Sequence, residues 1–296
     1  MNLSHLAIFY AVLQHQSISL GAENLHISQP AVSKQLKEFE ASLHTKLFDR
    51  HAKGVRPTEA AVLLGEYARR IFALEAEAEL ALSELQGLKR GHLKIGASLT
   101  IGNYLLPEIL ARFHARYPGV EVNVELDNTV VIQRKLLEGS LDLGFTEGYV
   151  EIGELDSEVF AVDELVPVAP PGHPILASSQ VTLEQLCREE FVVREHGSGT
   201  REVIERALFE RGFTQHSLVS FADIEAVKRA VAAGIGIGII SGHAIATELE
   251  QGKLLRVTVS DFSLHRPLHL VTLHGKYQTR AARTLASLIR QGTDAT

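Results

Sequence analysis

Two short runs place hydroxyls where hydroxyls can hold a ligand. Ser98-Leu99-Thr100 and Ser198-Gly199-Thr200 each lie between a strand-like and a helix-like segment. A helix start has four backbone N–H groups without intrahelical partners, together with the positive end of the helix dipole, so it favours an anion. Two such starts facing one cleft would bracket a small anionic ligand with Ser98, Leu99, Thr100, Ser198 and Thr200. Plain N-capping is the other duty these residue types perform. Thr146 follows the apolar run 141–145 and would lie at the carboxyl ends of a sheet, where open α/β folds bind ligands. His196 and Arg201 flank the second run and would add donors or charge.

Catalytic templates are absent. The chain contains no G-x-x-x-x-G-K-[ST], no H-E-x-x-H and no G-x-S-x-G. Gly234, Gly236 and Gly238 lack the G-x-G-x-x-G spacing and stand where a helix runs into a strand, so they read as structural. His265, His269 and His274 are four and five apart on a predicted strand, which places them on differing faces and excludes a shared metal. Cys187 is the one cysteine and reads as structural. The expectation is no enzyme, no metal and no cofactor.

A different chemistry is written in ISQPAVSKQLKEFE, residues 27–40. Ser28 is placed to cap a helix, with Pro30 in its first turn, where a missing N–H breaks no bond. Val32, Leu36, Phe39 and Leu43 form one apolar stripe, and Gln29, Ser33 and Lys37 form the opposite one, with Lys34 beside it. A short helix capped by Ser17 precedes it, which makes a helix-turn-helix. Its N-terminal residues would reach base edges in the major groove of double-stranded DNA. Gln29 can pair with adenine, Ser33 can reach several bases, and Pro30 can touch a thymine methyl. Lys34, Lys37, Arg50, Lys53 and Arg56 would bind phosphates, which set register and affinity.

The elements that must hold these groups follow from periodicity. Residues 3–15 read as a helix with Leu6, Phe9, Val12 and Leu13 inward. Leu47 to Arg50 and Val55 to Thr58 flank a Lys53-Gly54 turn and predict a two-stranded wing. Thr58 then opens a long helix. In it Leu64, Tyr67, Ile71, Leu74, Ala78, Ala81, Leu85 and Leu88 follow a 3-4 heptad spacing, the pattern of a dimerising coiled coil; packing on its own domain is the other reading. Beyond residue 91, strands and helices alternate in two successive sets, which predicts two similar α/β lobes with parallel sheets and a crossover near 163–170. The expected division is a winged helix-turn-helix at 1–58, a linker helix at 59–88 and a ligand-binding domain at 89–296. Its first lobe would take about 92–162 and 268–296, its second about 163–267.

Bulk properties agree. The 296 residues carry a net charge of −7, but residues 1–58 hold +2 and the rest −9. A basic head on an acidic body fits a nucleic-acid module joined to something else. No apolar run reaches the roughly 18 residues of a membrane span, and no basic segment followed by an apolar run opens the chain. The expected compartment is the cytoplasm.

Leu25-His-Ile-Ser-Gln-Pro-Ala-Val-Ser-Lys-Gln-Leu, Leu47-Phe48-Asp49-Arg50 and Pro57-Thr58-Glu59-Ala60 resemble the LysR-type transcriptional regulators. The resemblance spans the chain. It implies a winged helix-turn-helix, a linker helix and a two-lobed effector domain of the type II periplasmic-binding-protein kind. It further implies an effector-responsive homodimer or homotetramer, with RNA polymerase a candidate further partner. Gln16, Gly21, His44 and Ala61 depart from the family's usual residues. Ala97 to Pro107 resembles the branch that regulates sulfur assimilation, sulfite response and carbon fixation. That branch implies small anionic effectors, from sulfur oxyanions such as sulfite to phosphorylated metabolites, with small carboxylates in the same class. The other function the sequence allows is a cytoplasmic small-anion solute-binding protein with no transcriptional role.

Overall fold

A computed structural model describes residues 2–51, 54–84, 91–178 and 180–293. The chain forms two compact units, Met1–Leu80 and Ala81–Thr296.

The first unit opens with three helices, α1 (Leu3–His15), α2 (Ile18–Asn24) and α3 (Gln29–Leu43). Asn2 caps α1, and the Ser17 hydroxyl accepts from Leu20 N at 3.3 Å to start α2. Gln16 and His44, two of the departures from the family's usual residues, end their helices at φ of 47° and 51°, in the left-handed region common at helix C-termini. Gly21 serves a close approach, since a Cβ there would stand 3.0 Å from Val12 Cγ2 and 3.2 Å from its Cα. One expectation needs correction. Ser28 occupies the N-cap of α3 with extended backbone, but its hydroxyl makes no capping bond. A cap accepts from the second or third helical N–H, and the second residue is Pro30, which has none.

Leu6, Phe9, Val12, Val32, Leu36 and Phe39 are buried together, with Leu13 and Leu43 half-buried beside them. The wing is β1 (Phe48–His51) antiparallel to β2 (Gly54–Pro57), with Asp49 opposite Arg56. Glu40 ties it to α3 by accepting from Leu47 N at 2.7 Å and Phe48 N at 3.1 Å. Thr58 caps α4 (Glu59–Glu84) by accepting from Ala61 N at 3.2 Å. The near end of α4 belongs to the head: Ala61 and Ala68 are fully buried, and Leu64 and Ile71 pack half-buried on the same core. Tyr67, Leu74 and Ala78 are exposed. Leu85 and Leu88 lie outside the described residues, as does the side chain of Ala81.

The second unit begins with β3 (Gly91–Ser98), α5 (Leu99–Tyr104), α6 (Leu106–Arg116), β4 (Val120–Asp127), α7 (Thr129–Leu137) and β5 (Leu143–Glu147). It continues through the long β6 (Leu155–Ala169), a 3-10 turn at Pro174–Ala177, α8 (Leu183–Cys187), β7 (Glu190–Arg194) and α9 (Gly199–Phe209). Then come β8 (His216–Phe221), α10 (Ile224–Ala232), β9 (Gly238–Ser241), α11 (Gly242–Glu250), β10 (Leu255–Arg256), β11 (Leu264–Leu273) and α12 (Arg280–Thr293). The stretch 99–116 forms two helices, α5 and α6, where its helical pattern reads as one. Pro107 has no N–H to give to the carbonyl four residues back, so the chain re-starts at Leu105.

The expected parallel sheets are in fact one mixed sheet and a small parallel pair. The main sheet runs β10-β6-β11-β5-β3-β4, with β9 also on β6. Pairings β3–β4 and β3–β5 are parallel, whereas β11, β9 and β10 run antiparallel to their neighbours. The crossover expected at 163–170 is the second half of β6. That strand pairs with β11 from Leu155↔Leu273 to Leu165↔Leu264, and with β9 from Leu165 to Val168. One end of each strand lies over a core built on Ile95, Phe113, Phe145 and Leu285, the other over one built on Phe191, Val193, Leu208 and Ile237. The lobes are therefore joined by two continuous strands. No described helix is long and apolar enough to cross a membrane.

Candidate functional site

On the head, Ser28, Gln29, Pro30, Lys34, Lys37 and Arg56 are exposed and Ser33 is half-buried. The first two turns of α3 thus present the expected base-reading residues on the side away from Val32, Leu36 and Phe39. Lys34 lies 3.9 Å from Glu38 with both side chains exposed, a pairing too weak to withdraw it from a phosphate. The Ser17 hydroxyl, also expected to contact DNA, accepts from Leu20 N in the α2 cap and keeps its O–H as a donor for a phosphate. Arg50 falls in β1 with its side chain outside the described residues, and Lys53 lies outside them altogether.

In the second unit, the two hydroxyl loops close on Glu147, the last residue of β5. Ser98 donates to one oxygen of its carboxylate. Thr200 donates to the other at 3.3 Å. Arg266, from β11, gives Nη1 to the Thr200 hydroxyl at 2.7 Å and stands 3.4 Å from Glu147 Oε1. Asp163, from β6, holds the same guanidinium through Nε at 2.9 Å. Its oxygen also lies 2.7 Å from Nη2, off the direction a hydrogen bond needs, so that nitrogen is in the ion pair but without a bond of its own. Ser241 donates to Asp163 at 2.9 Å. Every member is buried; Arg266 is 0 % exposed, Asp163 1 % and Glu147 2 %.

The backbone is as close as the side chains. Thr129 donates to the Glu147 carbonyl at 3.0 Å. A Cβ on Gly199 would meet that carbonyl oxygen at 2.0 Å, which only glycine avoids. Around this centre several buried polar atoms have no partner: the hydroxyls of Thr100, Thr146 and Ser198, Arg194 Nη1 and His269 Nδ1. Arg194 otherwise grips Glu195 through Nε at 2.8 Å and Nη2 at 3.0 Å. His269 lies opposite Thr146 in the β5–β11 ladder, and burial lowers its pKa. Buried polar groups are nearly always satisfied, so a group of orphans at one place marks a place where something polar is received.

The sequence-predicted site residues divide. Ser98 and Thr200 are buried and bonded to Glu147; Thr100 and Ser198 are buried in the same two loops, Thr146 is buried on the opposite face of β5 from Glu147, and Leu99 is half-buried at the start of α5. His196 is exposed, and Arg201 is engaged by Glu205 at 2.6 Å and by the Arg194 carbonyl at 3.1 Å. The helix-dipole contribution is uneven, because α5 has 6 residues and α9 has 11. Glu147, Asp163, Ser241 and Arg266 were missed.

Behind α5 lies a second polar cluster. Tyr104 donates to Glu225 and accepts from Lys228 Nζ at 3.1 Å. Lys228 also meets Glu225 at 2.7 Å, Glu248 at 2.9 Å and the Ala244 carbonyl at 2.8 Å. Burial first, then the bond to Glu225, pushes the Tyr104 phenol up to about 12. A cavity of about 440 Å³ lies at the other end of β5, against α12, between Leu143, Glu158, Arg283 and Arg290. Among the described residues no cluster of His, Cys, Asp and Glu is fit to hold a metal ion.

Comparison with known proteins adds the following. Residues 3–62 match the model of the bacterial regulatory helix-turn-helix protein, lysR family, and residues 86–294 that of the LysR substrate binding domain. The RuBisCO operon transcriptional regulator of Allochromatium vinosum is 37% identical over 282 residues, covering 95% of this chain and 93% of that protein. The HTH-type transcriptional regulator CysL of Bacillus subtilis (strain 168) is 32% identical over 266 residues, covering 90% and 89%. The regulatory domain of Synechocystis PCC6803 CcmR, solved in complex with 2-PG, superposes with a TM-score of 0.65 at 26% identity, covering 70% of this chain and 99% of that domain.

Proposed function

Because this chain belongs to the LysR family of transcriptional regulators, we propose that it binds promoter DNA as an oligomer and answers to a small anion held between its two lobes. In this reading residues 1–58 contact DNA, 59–88 pair the chains and 89–296 take the effector, in the cytoplasm and without catalysis. Gln29, Pro30 and Ser33 read bases while Lys34, Lys37 and Arg56 hold phosphates. Tyr67, Leu74 and Ala78 lie on the exposed side of α4 that a second chain would cover. RNA polymerase is a further partner.

The observation that carries the effector reading is that Thr100 and Ser198 keep buried, unpartnered hydroxyls in the same two loops whose Ser98 and Thr200 meet at Glu147 and Arg266. Hydroxyls and a guanidinium are donors suited to an oxyanion, and water-excluded donors act strongly. The class fits the relatives: a neighbour's regulatory domain was solved with 2-PG, and others are named for the RuBisCO operon. A thermal-shift screen of 2-PG, sulfite, sulfate, phosphate and small carboxylates tests it. One or more should stabilise the protein, and Thr100→Ala or Ser198→Ala should remove the shift. A shift that survives both substitutions places the ligand elsewhere. The DNA reading is tested with fragments upstream of the protein's own and adjacent genes. Sequence-specific binding that weakens as salt rises is expected; binding that ignores sequence across all fragments contradicts it.

A further inference from the structure

The donors that should bracket an effector are already in use. Ser98 and Thr200 both give their hydroxyls to Glu147, and Arg266 lies against the same carboxylate. Arg266 is at the same time neutralised by Asp163. Two carboxylates therefore share one guanidinium in a centre that excludes water. Adding an anion beside them would place three negative charges around Arg266, which burial makes very costly. Exchanging the carboxylate for a singly charged oxyanion leaves the charge of the centre unchanged, and exchanging it for a doubly charged one adds one negative charge instead of two.

We propose that Glu147 is a resident anion: its carboxylate fills the effector position in the empty protein, and an effector binds by displacing it. This rests on the reading that the hydroxyl loops are the effector site, and it adds a rule for what can bind. A simple carboxylate offers the same two oxygens as Glu147, which is tethered beside the donors and so has the advantage of effective concentration. A tetrahedral oxyanion offers more. Two of its oxygens replace those of Glu147 at Ser98, Thr200 and Arg266, and the others are available to the hydroxyls of Thr100 and Ser198, which lie two residues along the same loops and have no partner. Satisfying buried donors is the gain that pays for expelling the resident. The site thus selects sulfate- and phosphate-type groups over carboxylates.

Calorimetric titration of the full chain with sulfate, inorganic phosphate and acetate tests this in the wild type, Glu147→Gln and Ser98→Ala. The wild type should bind sulfate or phosphate and not acetate. Glu147→Gln should bind the tetrahedral anion about tenfold tighter or more, and acetate should become measurable. Ser98→Ala should weaken tetrahedral-anion binding. Where Glu147→Gln is poorly folded by circular dichroism, Glu147→Asp replaces it. Its carboxylate is held one methylene short of Ser98, and the same direction of change is expected. Unchanged or weaker binding in the position-147 variants, with Ser98→Ala still weakened, overturns the resident-anion proposal and leaves the effector site standing. Wild-type binding that Ser98→Ala does not alter overturns the site and the proposal together, as does the absence of heat with all three anions in every variant.

Discussion

The two candidate sites are built on opposite principles. On α3 the residues aimed outward carry almost no structural duty: Gln29 and Pro30 are exposed, and the fold rests on Val32, Leu36 and Phe39 behind them. At the Glu147 centre the residues that would meet a ligand also hold the lobes together, since Arg266 and Asp163 come from the two strands that run through both. A protein can change what the first surface reads without disturbing its fold. It cannot change the second without disturbing both. Recognition by an exposed face and recognition by a buried centre should therefore separate cleanly in stability and binding measurements.

The sharpest test is Arg266→Met. It leaves Glu147 and Asp163 buried without their cation, so a loss of about 3–5 kcal/mol in unfolding free energy is expected by chemical denaturation. A loss under roughly 1 kcal/mol would erase the contrast between the regions. A smaller effect is expected behind α5. The Tyr104 phenol is raised from 10.0 to about 12, chiefly by burial. A raised folded pKa means that its contribution is complete below pH 10 and fades as pH climbs toward 12. Unfolding curves from pH 9 to 12 should show that decline, and Tyr104→Phe should flatten it. On the head the order reverses. Gln29→Ala should leave stability within about 0.5 kcal/mol, yet remove about 1–3 kcal/mol of discrimination for one base pair, measured by competition with substituted operators. The smallest change belongs to Lys37→Ala, which should lower the salt dependence of DNA binding by about one phosphate contact and leave sequence preference intact.

How much of this was legible in the chain follows the same division. The recognition helix could be read because an exposed face and a buried stripe alternate at helical spacing. Even there a local detail escaped, since Pro30 removes the donor that Ser28 was expected to cap. The hydroxyl loops stood out because a Ser-x-Thr run recurs between strand and helix in both sets, although capping is the ordinary use of either run alone. Their central residue did not. A glutamate after an apolar strand reads as a surface residue, and nothing local says that two loops 100 residues apart will close on it. Arg266 did leave a trace: Leu264, Arg266, Leu268 and Leu270 alternate with outward residues, which places an arginine in a buried register. The stretch 163–170 reads as a crossover because it lies between the two strand–helix sets, and Asp156, Glu158, Asp163 and Glu164 give β6 no plain apolar pattern. The fold answers most of those charges with distant partners: Arg290 for Glu158, Arg266 for Asp163 and Arg256 for Glu164.

The β6–β11 ladder, broken only by a bulge at Phe160 opposite Leu268 and His269, also limits how the lobes can move. Two strands bonded along their length can twist about each other, but they cannot slip by one residue without turning every side chain to the opposite face. A slip would carry Arg266 out of the interior and strand Asp163. Rotation is thus the only inexpensive freedom, and each return brings the same atoms back into contact. The joint behaves as a torsion bar with an indexed home position, set by the pairing of Arg266 with Asp163 across it.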